Sequence, residues 1–136
     1  NMWAEWKAAY LLHKVAGRDP RRAPGDAIAR MAALNNAGLA RHFFPGSHVG
    51  ELTPGAVADL ILVDYRPFTP LQAGNLPWHV LFGFEASMVT TTIVQGQILM
   101  KERQLLTLDE RAIAAAAREL APALWQRQAA FARAAL

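Results

Sequence analysis

The chain has 136 residues and a mass of 14.9 kDa, enough for one domain but too short for a complete (β/α)8 barrel, which needs about 250 residues. Hydrophobic residues make up 53% and charged residues 18%, which excludes an intrinsically disordered chain and predicts apolar surface that is covered by other protein or another ligand. The net charge is +3, but the basic residues are scattered and do not form the stripe of a nucleic-acid interface.

No cysteine is present, which excludes disulfide bonds and thiolate metal sites. No apolar run approaches the ~18 residues of a membrane span, and no signal peptide opens the sequence. We therefore expect a cytoplasmic protein with neither membrane nor nucleic acid among its partners.

The first predicted element is a helix. Apolar residues recur at helical spacing over Met2–His13, and Asn1 is a suitable N-cap. Gly17 is expected to end the helix, with Pro20 as a further stop signal. Because a helix cap opens the sequence without any lead-in, we expect the chain to be part of a longer polypeptide.

A second helix is predicted to begin at Pro24 and Asp26, since proline favours the first turn and a carboxylate favours the positive end of the helix dipole. Gly38 is expected to end it. The predicted core face consists of Ile28, Met31 and Leu34.

The middle of the chain predicts strands. The apolar run within Ala58–Asp64 indicates a strand covered on both faces, and Trp78–Phe84 indicates a strand-like edge. Val89–Val94 is β-branched throughout and predicts a strand, which Gln95–Gln97 turns back into Ile98–Met100 as a hairpin. An irregular stretch between these strands is marked by Pro67, Pro70 and Pro77.

The last predicted element is a long helix. Thr107 and Glu110 have the spacing of a capping box, in which each side chain satisfies a free backbone N–H at the helix start. Pro122 is expected to kink or restart the helix, because it removes one backbone hydrogen bond. The predicted apolar face contains Ile113, Leu120 and Leu124.

The histidines do not have the spacing of a metal site. They are His13, His42, His48 and His79, and no H-x-H or H-E-x-x-H pattern occurs. His13 lies near the end of the first helix, where a cation interacts well with the dipole. We interpret His79 as a structural residue whose ring makes one specific hydrogen bond.

Other candidates for catalysis are equally isolated. Ser47 and Ser87 do not stand in the G-x-S-x-G pattern of an activated nucleophile. Asp59 and Asp64 could form an acid–base pair, but residues five apart on a strand point to opposite faces, so we interpret them as turn and strand-end caps. The sequence assigns no catalytic or metal-binding residue to this chain and leaves substrate-binding residues unknown.

Three segments resemble the C-terminal part of amidohydrolase-superfamily enzymes. Gly50–Gly55 followed by Ala58–Asp64 is similar to the family pattern G-x-L-x-x-G-x-x-A-D-L-hydrophobic-D. Val89–Gly96 resembles the return strand and hairpin of these enzymes, and Asn35–Gly38 resembles part of a family helix. Further segments are similar to the SsnA-type aminohydrolases of the chlorohydrolase and deaminase branch: Phe43–Pro45, Val63–Pro70, His79–Gly83 and Leu124–Arg127.

The resemblance implies an α/β fold of mixed architecture. Residues 1–45 are expected to be the closing helices of a (β/α)8 barrel, 46–106 the C-terminal strands of a composite β-sandwich, and 107–136 a C-terminal helix. The family completes this sandwich with N-terminal strands. The expected partner is therefore the remainder of the same polypeptide, with a homo-oligomer as a further option.

The resemblance also implies a metal-dependent hydrolase, in which zinc or iron activates a water that attacks a ring carbon bearing an amino group or a halogen. The family's ligands are an H-x-H pair, two further histidines and an aspartate, and all of them correspond to positions before Asn1. We therefore expect a C-terminal fragment of an aminohydrolase or chlorohydrolase that binds no metal and is inactive alone, while the parent acts on a small ring substrate.

Two other hypotheses remain open at this point. One is a stand-alone structural or assembly module derived from such an enzyme. The other, a small nucleic-acid binder, depends only on the basic isoelectric point of about 9.8.

Overall fold

The computed structural model describes residues 1–134, which combine helices with one antiparallel sheet. The helices are α1 (Met2–Gly17), α2 (Gly25–Ala29), α3 (Asn36–Phe43), α4 (Leu76–Gly83) and α5 (Glu110–Ala134). The strands are β1 (Leu60–Val63), β2 (Val89–Val94), β3 (Gln97–Lys101) and β4 (Gln104–Leu105). These helices and strands confirm the mixed α/β class that the sequence predicts.

Helix α1 begins and ends where the sequence predicts. Asn1 Oδ1 accepts a hydrogen bond from Trp3 N at 3.2 Å, as an N-cap does. The helix ends at Gly17, and the next residue, Arg18, takes the left-handed conformation with φ of 48°. In the following loop the Arg21 guanidinium donates hydrogen bonds to Asp19, which lowers the pKa of this carboxyl below its ordinary value.

The second helical segment is longer than the sequence predicts. The expected end at Gly38 is wrong, because α2, a π-helical turn over Arg30–Asn35 and α3 continue as one segment to Phe43. A Cβ placed on Gly38 would meet nothing within 4 Å, so this glycine occupies an open helix position. Glycine weakens a helix interior without ending it.

The strands form one antiparallel sheet in the order β1-β2-β3-β4. Strands β2 and β3 are joined by the two-residue turn Gln95–Gly96, in which φ is 49° and 79°. Positive φ at both positions matches the right-handed twist of the strands that the turn connects. The predicted strand over Val89–Val94 and the hairpin that follows it are confirmed.

Residues 76–83 form helix α4, so the strand-like edge predicted over Trp78–Phe84 is wrong. Pro77 lies in the first turn of α4, where its fixed φ favours a helix start and its missing N–H costs nothing. A short apolar run has no clear period and does not by itself distinguish a strand from a buried helix. The proline marks the beginning of this helix, whereas the sequence analysis treats it as part of an irregular stretch.

The core of the described chain is small. Ile28 on α2 and Leu81 on α4 are its buried large apolar side chains, each 2% exposed. On the same helix α4, Trp78 and Phe82 contact Tyr10 of α1 edge-on, with ring centroids 5.7 and 5.4 Å apart. Helices α1, α2 and α4 therefore form one cluster.

Several side chains predicted to be buried are exposed. Met31 and Leu34 do not share the core position of Ile28, since they are 40% and 62% exposed. The strand predicted to be covered on both faces also lacks cover, because Ile61 and Leu62 of β1 are exposed. The apolar pattern identifies residues that need to be covered, and the described chain does not cover them.

The accessible surface of the chain is correspondingly large, 10819 Å². A folded monomer of 14.9 kDa exposes about 7,000 Å². The excess of about 3,800 Å² includes many large apolar side chains, among them Val15, Leu52 and Phe68. Large exposed apolar patches on a soluble protein usually mark a surface that contacts other protein.

Helix α5 begins at Glu110, and its cap is Asp109. Asp109 Oδ1 accepts hydrogen bonds from the N–H groups of Arg111 and Ala112, each at 3.0 Å. The capping box predicted from Thr107 is therefore wrong, because the helix starts two residues later than that motif requires.

Pro122 neither ends nor restarts α5, which continues unbroken to Ala134. Its side chains from Glu110 to Arg133 are exposed, apart from a half-buried Ala121. Within residues 1–134, no helix is both long enough and apolar enough to cross a membrane.

We predict that Ile28→Ala lowers the free energy of unfolding by about 2–5 kcal/mol, because it leaves a cavity in this small core. Leu34→Ala is the matched control on the same helical segment and should change it by less than about 0.5 kcal/mol, because Leu34 is exposed. Urea unfolding followed by circular dichroism measures both. Equal effects would contradict the assigned core.

Candidate functional site

The candidate functional site is a cleft of about 400 Å³ between α4 and the loop that follows β1. Aromatic rings form most of its wall, and two polar side chains lie within hydrogen-bonding distance of a histidine in its lining. These polar residues are Tyr65, Thr69 and His79. An apolar cleft with a few convergent polar groups is the usual form of a small-molecule site, so its chemistry needs to be examined.

His79 makes the specific hydrogen bond that the sequence predicts. The Tyr65 hydroxyl lies 2.6 Å from His79 Nδ1, and the two rings are tilted by 70°. With the hydroxyl as donor, Nδ1 accepts and the ring proton lies on Nε2. Thr69 Oγ1 is 3.5 Å from Nε2, at the outer limit of a hydrogen bond. The arrangement fixes the orientation of the histidine ring.

The loop that carries Tyr65 and Thr69 is held by its own polar contacts. Asn75 Nδ2 donates to the carbonyl of Pro70 at 2.9 Å, and Asn75 Oδ1 accepts from the N–H of Gln72 at 2.8 Å. On α4, a Cβ at Gly83 would overlap the Tyr65 hydroxyl. The close approach of Tyr65 to the helix therefore requires glycine at this position.

The residues present do not fit a metal ion. The cleft offers one imidazole and two neutral hydroxyl groups, whereas zinc sites are built from several histidine, carboxylate or thiolate ligands. His13, His42 and His48 are exposed on α1, on α3 and in a loop. In the part of the chain that the structure describes, no three histidine, aspartate or glutamate side chains come together as a metal-binding group.

The two aspartates considered at the sequence level have structural contacts. Asp59 Oδ1 accepts from the N–H of Gln95 at 2.7 Å and so stabilises the hairpin turn, as predicted for a turn cap. Asp64, after β1, lies 3.8 Å from both Arg66 and Arg103. Such exposed pairs contribute little to stability.

The two serines are also accounted for by backbone contacts. The Ser47 hydroxyl donates to the carbonyl of Phe44 at 2.9 Å. The carbonyl of Ser87 accepts from Arg103 Nε at 2.8 Å. In the part of the chain that the structure describes, neither serine hydroxyl is hydrogen-bonded to a histidine that could activate it as a nucleophile.

Sequence reasoning identified His79 but not its partners. Tyr65 is 14 residues away, and only the path of the intervening loop brings the two rings together. A signal was available, because Val63–Pro70 and His79–Gly83 both belong to the segments that resemble the SsnA-type aminohydrolases. The presence of both segments in one sequence did not indicate that Tyr65 and His79 are in contact.

No protein-family model matches the chain. Among curated proteins, a 5-methylthioadenosine/S-adenosylhomocysteine deaminase from Pelotomaculum thermopropionicum is 38% identical over 94% of this chain and 29% of its own length. A 5'-deoxyadenosine deaminase from Methanosarcina mazei is 32% identical over 93% of this chain and 28% of its own length. The chain therefore spans little more than a quarter of the relatives it matches.

A solved structure has the same fold over most of the chain. The zinc-bound adenosine deaminase from Xanthomonas campestris superposes with a TM-score of 0.74 at 24% identity. The match covers 92% of this chain and 28% of that protein. At this identity the likeness concerns the fold.

We predict that Tyr65→Phe lowers the free energy of unfolding by about 1 kcal/mol, because it removes the hydrogen bond to His79 and little else. Thr69→Val keeps the β-branched shape and removes only a marginal contact, so its effect should stay below about 0.5 kcal/mol. Thermal or urea unfolding of both variants measures the difference. A larger loss for Thr69→Val than for Tyr65→Phe would contradict the geometry.

Proposed function

The chain belongs to the amidohydrolase superfamily through its similarity to these deaminases, and we propose that it is the C-terminal part of a cytoplasmic, metal-dependent aminohydrolase. In this proposal residues 1–45 are the closing helices of the barrel, 46–106 are C-terminal strands of the composite β-sandwich, and 107–136 are a terminal helix. The parent removes an amino group hydrolytically from an adenosine-type nucleoside. The names of the relatives favour this reaction over cleavage of a carbon–halogen bond.

The observation that carries the proposal is the excess of accessible surface, which includes many large apolar side chains. About 3,800 Å² on one partner far exceeds the roughly 800 Å² that each side of a standard protein–protein interface buries. It is of the size found where a domain core is divided between two pieces. When the rest of the same polypeptide supplies such an interface, no translational or rotational entropy is lost through the association of separate chains.

The edge strand β1 supports the same conclusion. β1 lies at one end of the sheet order, and its residues Ile61 and Leu62 are apolar and exposed. Natural proteins avoid open apolar edges because they pair with other chains. In the proposed parent, strands from the N-terminal part of the polypeptide cover this edge and complete the sandwich.

The metal of the proposed parent is zinc or iron, and this chain does not supply its ligands. The cleft around His79 does not fit such an ion, and the rest of the described chain has no group of three suitable side chains. In this proposal the chain has a structural role: it closes the barrel and contributes sandwich strands. The narrower likeness to SsnA-type aminohydrolases stays a prediction.

A stand-alone assembly module is the alternative. It requires that the chain be a stable protein in its own right, with a core sufficient to hold α1 to α5 and the sheet together. Two buried large apolar side chains among the residues described are too few for this. The exposed area therefore argues for the larger enzyme.

A chimera tests the proposal. We predict that replacing the matching 128-residue segment of the Pelotomaculum thermopropionicum deaminase with this chain gives a soluble protein that binds zinc and releases ammonia from 5-methylthioadenosine. The matched control carries Leu81→Asp, which buries an unpaired charge and should abolish folding and activity together. Zinc content, ammonia release and the melting temperature are measured for both.

Two results would contradict the proposal. One is a chimera without deaminase activity, together with a deletion variant of the relative that lacks the segment and still deaminates its substrate. The other is stoichiometric zinc with deaminase turnover in the isolated 136-residue chain, because its described residues contain no ligand set for the metal.

A further inference from the structure

A ring contact joins the first turn of α1 to the segment that leads from α4 into the sheet. Trp3 and Phe84 meet edge-to-face, with ring centroids 5.1 Å apart and ring planes at 82°. Both side chains are half-buried. Trp3 lies two residues after the N-cap Asn1, and Phe84 follows directly after the last residue of α4. The contact therefore holds the start of α1 against the region between α4 and β2.

A second aromatic side chain holds Phe84 in its place. The rings of Phe84 and Tyr65 have centroids 4.7 Å apart and are tilted by 57°. The Tyr65 hydroxyl is hydrogen-bonded to His79 of α4, and Gly83 leaves the space that Tyr65 needs. Trp3 thus packs against a ring whose position is set by α4 and by the loop after β1.

The packing beside this contact is open. A pocket of about 400 Å³ lies between the first two turns of α1 and the strands β1 and β2. Its lining includes Trp6 on the helix and Ile61 and Val89 on the strands. Side chains that line a void have fewer contacts than those in a close-packed core. The Trp3–Phe84 pair therefore contributes a large part of the attachment of α1 at this end.

The place of α1 in the proposed parent gives this contact a role in the reaction. In a (β/α)8 barrel the active site lies at the C-terminal ends of the strands, which is the face where the helices that follow them begin. Under the proposed function, on which this inference rests, α1 is one of the closing helices and so begins at the catalytic face. We propose that Phe84 is a positioning residue for the deamination, which acts through Trp3 by fixing where α1 begins.

The effect of such a residue differs from that of a residue that binds substrate. A displacement of about 1 Å far from the reacting atoms can lower a rate by a factor on the order of a hundred, because catalytic groups must meet the substrate in a narrow range of geometries. Phe84 acts on the orientation of groups at that face and makes no contact with the substrate itself. Its loss should therefore lower kcat more than it changes KM.

The chimera described above provides the test. We expect Phe84→Ala to lower kcat about tenfold and to change KM by less than about twofold. Phe84→Tyr keeps the ring and should hold kcat within about twofold of that of the unsubstituted chimera. Hydrogen exchange followed by mass spectrometry should be about threefold to tenfold faster in the first two turns of α1 for Phe84→Ala, because the ring contact that holds them is lost.

Ile28→Ala is the matched control, because it destabilises the same helical cluster and leaves the Trp3–Phe84 pair in place. Its kcat should stay within about twofold of the unsubstituted value at temperatures well below the melting temperature. A double variant tests whether the two rings act together. Adding Trp3→Leu to Phe84→Ala should lower kcat by a much smaller factor than Trp3→Leu does alone, because both act through one contact.

Three results would overturn the inference, and each has a different meaning. Unchanged exchange at the start of α1 in Phe84→Ala would show that the ring contact does not hold the helix. An equal loss of kcat in Ile28→Ala would show that lower stability, and not position, reduces the rate. An unsubstituted chimera without deaminase activity would contradict the proposed function and the role of Phe84 with it, and the exchange measurement distinguishes this case from a failed contact.

Discussion

The helical part of this structure depends on one small contact, in which α4 packs against α1 and α2. Leu81 and Ile28 are buried there, and Tyr10 contacts the rings of Trp78 and Phe82 edge-on. Gly25 permits the approach, since a Cβ at this position would lie 3.3 Å from both Trp78 and Leu81. The loop that carries Tyr65 contacts the same helix α4 through the hydrogen bond to His79.

This contact is too small to account for the remaining apolar residues. The second helical segment, the edge strand β1 and helix α5 all carry large apolar side chains that are exposed. The free energy of folding comes mainly from covering such surface, so a chain of this composition gains stability when other protein covers it. The chain also spans little more than a quarter of the deaminases that it resembles. This separate observation likewise favours a chain whose apolar surface is covered by other protein.

Local features of the fold were predictable from the sequence, and features that depend on distant residues were not. The cap at Asn1 and the turn at Gln95–Gly96 follow from residues within a few positions. The sequence predicts a strand where α4 lies, because a short apolar run without helical or strand periodicity does not distinguish the two. Contacts with distant residues decide which one forms. The Tyr65–His79 contact depends on the path of a loop, and the exposure of Leu34 depends on which distant residues pack against its helix.

The most direct test of this account is to determine the coding sequence upstream of Asn1. We predict an uninterrupted reading frame of about 250 residues or more that carries an H-x-H pair, two later histidines and an aspartate shortly before Asn1. The apolar faces described above would then be internal surfaces of one enzyme. A stop codon followed by a start codon at this boundary would contradict the account, because the chain would then have to cover its apolar surface by association with other molecules.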